Sequence, residues 1–265
     1  MHPQTPARPG PLVAPVTGAE PYDWARVSRQ LVLPEFGDEA QRRVAGARVL
    51  IIGAGGLGCT SAPLLAGAGV GTIGLVDDDV VELSNLHRQV AHRTETIGRP
   101  KVDSLAEALE ALNPDVRVNR HQFRLTSLNA ANLFANYDLV IDGSDNFETR
   151  YLTDDAARLT GVPVVWGAIQ QYSGQLSVAW HRYGAGYRDV FPEPSVAGLD
   201  CAGGGVLPSL CGTIGSLLAT EALKLITGLG DPLIGRVLVY EALHARMQEV
   251  QVLPHDLGER EVAHA

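Results

Sequence analysis

The run Val49-Leu50-Ile51-Ile52, followed at once by Gly53-Ala54-Gly55-Gly56-Leu57-Gly58, constrains this chain more than any other feature. A continuous apolar tetrad suits a parallel strand buried on both faces. The glycines suit a strand-to-helix turn whose backbone amides approach phosphates at a helix N-terminus. The plain alternative is a tight turn that needs glycine for steric reasons alone. Residues 57–69 then read as a small-residue helix able to lie close against a sheet.

The same alternation continues. Strands are expected at 72–77, 116–121, 138–142 and 163–166, with helices at 100–112, 128–135 and 146–159 between them. Pro100 suits the first turn of its helix. Val102, Leu105, Leu109 and Leu112 follow at helical spacing, and Asn113-Pro114 ends it. Alternating strands and helices imply an α/β fold: a Rossmann-like, mostly parallel sheet with helices on both faces. Residues 174–180 alternate in polarity and are expected to pair antiparallel. Strands at 236–240 and 247–253 extend the sheet further in the same sense. Polar helices are expected at 24–30 and 39–44.

Residues 182–205 form a long Gly/Pro-rich loop without periodicity, a length that usually signals function or disorder. Residues 1–20, rich in proline and alanine, read as a disordered tail. Residues 21–253 read as a single domain and 254–265 as a flexible tail. The apolar segment 206–226 contains Pro208, Glu221 and Lys224, so a buried helix is expected rather than a membrane span.

Net charge is −9, which argues against non-specific nucleic-acid binding. Cys59, Cys201 and Cys211 show no paired spacing, and the first twenty residues lack an apolar signal region. Both features fit a reducing, cytoplasmic setting.

The residues after the second strand separate a dinucleotide site from a triphosphate site. Asp77, 24 positions after Gly53, stands where an acid commonly receives ribose hydroxyls. Asp78 and Asp79 suit a helix cap or a solvated loop. Asn85 and Arg88 lie three apart and would share one face of a helical turn. Arg88 can neutralise phosphate oxygens bidentately, although a surface ion pair is the plain reading. Lys101 is one of only two lysines, with Lys224, among 21 basic side chains. A bias toward arginine codons would leave lysine where a compact point charge is needed. Asp145 follows the fourth strand and could hold Mg²⁺ or simply cap the next helix, as could Ser144. Cys201, flanked by glycines in the long loop, suits a nucleophile better than a core position, although no histidine adjoins it.

Taken in order, these segments resemble the ThiF/MoeB/HesA adenylyltransferases, relatives of the ubiquitin-activating enzymes. The matching stretches are Ser28-Arg29-Gln30, Gly53 to Cys59, Asp77 to Asp79, Ser84-Asn85-Leu86-His87-Arg88-Gln89 and Gly98 to Lys101. Asp145-Asn146, Ser173-Gly174-Gln175, residues 187–192, Cys201 and residues 215–228 complete the set, which covers residues 22–253.

The resemblance implies ATP-dependent adenylylation of the C-terminal Gly-Gly carboxylate of a small ubiquitin-like sulfur-carrier protein. Molybdopterin and thiamine biosynthesis are among the pathways that use such carriers. It implies nucleotide contacts from Gly53, Gly55, Gly56, Gly58, Asp77 and Asp79. Ser84, Asn85, Leu86, His87, Arg88 and Lys101 would contribute to the phosphate side, and Asp145 to Mg²⁺ with Asn146 beside it. Arg29 would enter the site of a partner subunit, which implies a homodimer. Cys201 matches a cysteine that takes part in sulfur transfer in some relatives.

The chain departs from the family pattern. Many relatives carry two C-x-x-C pairs that bind zinc, and three cysteines cannot supply them, so no zinc is expected. No rhodanese-type domain follows, so a separate sulfur donor, a cysteine desulfurase or sulfurtransferase, is expected. His87 stands where glutamine is frequent. An NAD(P)-dependent oxidoreductase and a non-catalytic carrier-binding scaffold are the alternative readings. The first needs nicotinamide binding, and the second leaves Arg88, Lys101 and Asp145 without a task.

Overall fold

Strand β1 (Arg48–Ile52) shows why its apolar run is continuous. Val49 and Ile51 join one buried cluster, and Leu50 and Ile52 join another on the opposite face. Both faces of the strand are covered, so neither can be polar. The computed structural model describes residues 9–18, 22–193 and 205–253.

β1 is followed by α3 (Gly58–Gly67), β2 (Thr72–Val76), α4 (Lys101–Leu112) and β3 (Arg117–His121). Helix α5 (Ala130–Phe134), β4 (Leu139–Asp142), α6 (Phe147–Thr160) and β5 (Val164–Gln170) come next. Strand β6 (Ser173–Ala179) and the short helix α7 (Tyr187–Val190) precede α8 (Pro208–Thr227), β7 (Arg236–Glu241) and β8 (Arg246–Gln251). Two helices, α1 (Trp24–Leu31) and α2 (Gly37–Gly46), lie ahead of the first strand.

The eight strands form one sheet in the order β3-β2-β1-β4-β5-β6-β7-β8. β3 to β5 are parallel, and β5 to β8 pair antiparallel. The expected fold class therefore holds. Buried residues of α3, α4 and α8 cover one face, and those of α5, α6 and α7 cover the other. α8 is long and apolar enough to cross a membrane by composition, but Ile214, Leu218 and Ala222 are fully buried against the sheet side.

Because β2 lies on one side of β1 and β4 on the other, the chain leaves β1 and β4 in opposite directions. A crevice opens at their carboxyl ends, where ligands of open α/β sheets collect. Gly53 caps β1 there with φ +89°, and its amide donates to Val76 O at 2.9 Å. A Cβ at Gly53 would come within 3.3 Å of the Gly143 carbonyl oxygen, so the two turns pass in close contact.

Two expectations are corrected. The tail expected to be disordered over residues 1–20 is, over residues 9–18, a strap on the core. Val13 is buried, Leu12 N donates to Leu225 O at 2.9 Å, and Arg43 Nη1 donates to Val13 O at 2.7 Å. The composition hid it because its order comes from tertiary partners on α2 and α8. The expected structureless loop 182–205 contains α7. The Asp154 carboxylate fixes that helix by accepting from Tyr187 N at 2.9 Å and Arg188 N at 3.3 Å, with His181 Nε2 at 3.0 Å. Arg188 also pairs bidentately with Asp155. The tail expected at 254–265 lies outside the described residues.

Burial pushes the Asp154 carboxyl up, but the His181 contact and the two amides outweigh it and leave the pKa below the ordinary 3.8. A depressed carboxylate contributes stability that is complete above its unfolded pKa and disappears as pH falls through the folded one. Asp154→Ala should therefore cost about 3 kcal/mol of unfolding free energy at neutral pH, read by urea titration. The gap between variant and wild type should shrink as pH drops below 3.8. A gap independent of pH would contradict a charged anchor.

Candidate active site

The crevice between β1 and β4 is a cavity of about 210 Å³ lined by the glycine turn, Asp77, Asp79, Asn85, Arg88 and Lys101. Gly143, Ser144, Asp145 and Arg150 form its other wall. A second cavity of about 260 Å³ adjoins it, sharing Gly53, Asp77, Asp79, Ser144 and Asp145. Ile52, Val76, Phe123 and Leu125 give this second cavity an apolar side suited to a flat base.

Asp77 sits on the ridge between the two. One carboxylate oxygen accepts from Ala54 N at 2.8 Å and the other from Asp79 N at 2.9 Å. Burial raises its pKa, opposed by the nearby Lys101 charge and the two amides. His92 supports the same turn from beneath, with Nε2 2.9 Å from Ala54 O and Nδ1 2.9 Å from Ser104 Oγ. Burial lowers the His92 pKa, which favours the neutral ring donating to Ala54 O.

Lys101 is 7% exposed, and its ammonium meets Asp79 Oδ2 at 2.7 Å. Its backbone amide also donates to Asp79 O at 3.0 Å. Pro100 stands just before α4 rather than inside it, which puts Lys101 at the first helical residue. Asn85 and Arg88 do reach the cleft together, through a 3₁₀ turn (Leu83–Asn85) continued by Arg88 N to Asn85 O at 3.0 Å.

Other expected site residues stand elsewhere. Gly58 does not line the cleft. A Cβ there would collide with the Gly53 carbonyl, so its glycine is steric. Ser84 and Leu86 are also off the cleft wall. Ser84 Oγ donates to Glu82 Oε2 at 3.1 Å. His87 does not line it either, but its Nε2 accepts from Arg88 Nη1 at 2.7 Å and so steadies that guanidinium. This gives the histidine a physical role.

Asp145 lines both cavities and is exposed, touched by Asn146 Nδ2 at 3.3 Å. The capping role weighed for Asp145 or Ser144 falls to Asn146, whose Oδ1 accepts from Thr149 N at 2.9 Å. This leaves the Asp145 carboxylate facing the cavities, an oxygen donor suited to Mg²⁺. Arg29 is exposed on α1, which is bonded to Ala68 O and Leu112 O at the amino-terminal side of the sheet. It is not part of this chain's own cleft. Cys201 lies outside the described residues. Burial pushes the Cys59 thiol up to about 12, consistent with a packing residue.

Sequence reasoning named Gln89 only within a motif and missed Arg150. Both are buried and line the cleft. Among the described residues, four buried side-chain polar atoms lack a hydrogen-bond partner, and three of them belong to this wall: Gln89 Oε1, Ser144 Oγ and Arg150 Nε. Such atoms are costly unless a ligand or water meets them, so their clustering marks a polar binding site. The spacing of Arg150, four residues after Asn146, was the available signal.

Residues 27–259 match the ThiF family. The chain is 49% identical over 248 residues to the probable adenylyltransferase/sulfurtransferase MoeZ of Mycobacterium tuberculosis, covering 91% of this chain. It spans 63% of that relative's length. It is 48% identical over 234 residues to the sulfur carrier protein adenylyltransferase of Thermus thermophilus, with 86% of each chain covered. The solved structure of Escherichia coli MccB with ATP superposes with a TM-score of 0.77 at 18% identity. It covers 86% of this chain and 72% of that one, and the likeness carries the fold. The chain belongs to the ThiF family.

Proposed function

We propose that this chain uses ATP to adenylylate the C-terminal Gly-Gly carboxylate of a small ubiquitin-like sulfur-carrier protein in the cytoplasm. The observation that carries the reading is the cleft at the β1/β4 crevice. Its glycine turn, Arg88, Lys101, Asp77 and Asp145 line one cavity, and Gly53, Asp77 and Asp145 also line the adjoining one. The base would lie against Phe123 and Leu125, the ribose at Asp77, and the phosphates at the glycine turn between Arg88 and Lys101. The sulfur carrier protein adenylyltransferase at 48% identity supports the substrate class.

In the reaction a carboxylate oxygen attacks the α-phosphorus. The bond from that phosphorus to the oxygen bridging toward the β-phosphorus breaks, and pyrophosphate leaves with the electron pair. No proton moves and nothing is oxidised. The carboxylate is already ionised at neutral pH, so no general base is needed. Arg88 and Lys101 stabilise charge building on the leaving pyrophosphate, and the glycine turn holds the rest in line. Asp145 would hold Mg²⁺, which when bound supplies further positive charge at the phosphates.

The cleft's own charges support a shared site. Asp77, Asp79 and Asp145 balance Arg88, Lys101 and Arg150, which leaves no surplus for a triphosphate. Mg²⁺ and Arg29 from a second subunit would supply it. The position of α1 at the far end of the sheet fits delivery of Arg29 to another copy, and hence a homodimer. Sulfur would then come from a separate donor, with Cys201 as the candidate thiol for the transfer.

Labelled pyrophosphate should exchange into ATP when the protein is mixed with a carrier ending in Gly-Gly. Binding of NADH together with no carrier-dependent exchange would overturn the reading. Lys101→Ala should lower exchange by roughly 10²–10³-fold, and Lys101→Arg should not restore it, because the fork does not fit a buried point-charge site. Separately, Arg29→Ala and Lys101→Ala should each be inactive alone. Mixed and allowed to exchange subunits, they should recover about a quarter of wild-type activity, as expected when half the dimers are mixed and each carries one intact site. No recovery would rule out an Arg29 supplied to the site by the partner subunit.

A further inference from the structure

The nucleotide cleft continues past Ile169 and Arg150 into a third cavity of about 110 Å³. The β5–β6 hairpin lines one side of this slot through Gln170, Ser173 and Gly174, and Phe147 and Tyr187 line the other. Arg150 and Ile169 are the residues the slot shares with the cleft.

Arg150 is 4% exposed, and its bonding is incomplete. Nη2 donates to Ser144 O at 2.8 Å, and the Tyr187 side chain also hydrogen-bonds to it. The guanidinium carbon lies 5.8 Å from the Phe147 ring centroid. Nε has no partner. Among the described residues, no carboxylate forms an ion pair with it. Tyr187 cannot neutralise it, since burial pushes that hydroxyl up to about 12 and keeps it protonated. A buried cation left with neutral acceptors is expensive, and an incoming anion would offset the cost.

We propose that Arg150 binds the carboxylate that is adenylylated, at the point where the slot opens into the nucleotide cleft. The inference rests on the adenylylation reading, because that reaction requires a carboxylate beside the α-phosphate. The guanidinium carries five N–H donors, of which one is committed to Ser144 O and another meets the Tyr187 oxygen. The remaining donors, Nε among them, can meet a chain-end carboxylate arriving along the slot. Ser144 is held from its other side, its amide donating to Asp142 Oδ1 at 2.9 Å, so the Arg150 fork is anchored rather than free to swing.

The test is a two-by-two binding cycle by calorimetry, in the presence of a non-hydrolysable ATP analogue. One axis is wild type against Arg150→Met. The other is a synthetic peptide ending in Gly-Gly as the free acid against its C-terminal amide. Wild type should prefer the acid by about tenfold or more, as a charge-assisted pair would, and Arg150→Met should bind both alike. The ATP analogue is kept saturating for each protein, so a change in its own affinity does not enter the comparison.

If acid and amide weaken together and the preference survives in Arg150→Met, the arginine is only a structural brace and the proposal fails. Should Arg150→Met not fold, Arg150→Lys run through the same cycle decides, with an intermediate preference expected and a full preference overturning. A wild type without acid preference also overturns it. Arg150-dependent acid binding without any pyrophosphate exchange would leave the carboxylate site standing and sink the adenylylation reading instead.

Discussion

The half-buried Asp77 carboxylate is the interaction on which the site depends. It accepts from the Ala54 amide of the glycine turn and from the Asp79 amide, so one side chain joins the end of β1 to the segment after β2. Asp79 in turn holds Lys101 through both its side chain and its backbone carbonyl. Glycine turn, acidic cluster and lysine therefore form one hydrogen-bonded unit before any nucleotide is considered. Burial disfavours the charged form of Asp77, and the backbone donors and the nearby lysine oppose that. The charged form of this structural tie is the better acceptor for both amides, and these neighbours favour it against burial.

The parts of this arrangement that were legible in the sequence are those set by local pattern. A run of four apolar residues can be continuous only where both faces are covered, and β1 is such a strand. The alternation of strands and helices gave the parallel half of the sheet, and the change of pattern near residue 174 gave its antiparallel extension. What stayed hidden depends on tertiary partners. Helix α7 has four residues, too few to form from propensity, and exists because Asp154 accepts two of its amides. Residues 9–18 have a disorder-like composition, yet Val13 finds a buried place against the core.

The rarity of lysine was informative for one of the two. Lys101 is in the cleft, whereas Lys224 pairs with Glu221 and donates to Asp231 O at 2.8 Å, tying α8 to the turn before β7. In both places a compact ammonium reaches a narrow set of acceptors, so the codon-bias argument located constrained lysines without telling a cleft lysine from one that braces the fold. The same limit applies to glycine. Gly53 and Gly58 stand five residues apart in one motif, but the first borders the cleft and the second is required only to clear the carbonyl of the first.

The slot beside the cleft is positioned from its far side. Tyr187 lines it, and the Tyr187 amide is fixed by Asp154, which lies on the buried side of α6. Arg150 is on the same helix and holds the Ser144 carbonyl at the head of the turn that carries Asp145. A single helix therefore sets both the wall of the slot and the base of the metal-binding carboxylate proposed for the phosphates. Phe191 packs on Phe147, Trp166 and Tyr187, and Val206 lines the cleft, so these two residues border the same helix and cleft. Cys59, by contrast, is buried beneath the glycine turn with its thiol on Ala54 O, closed off from the cleft.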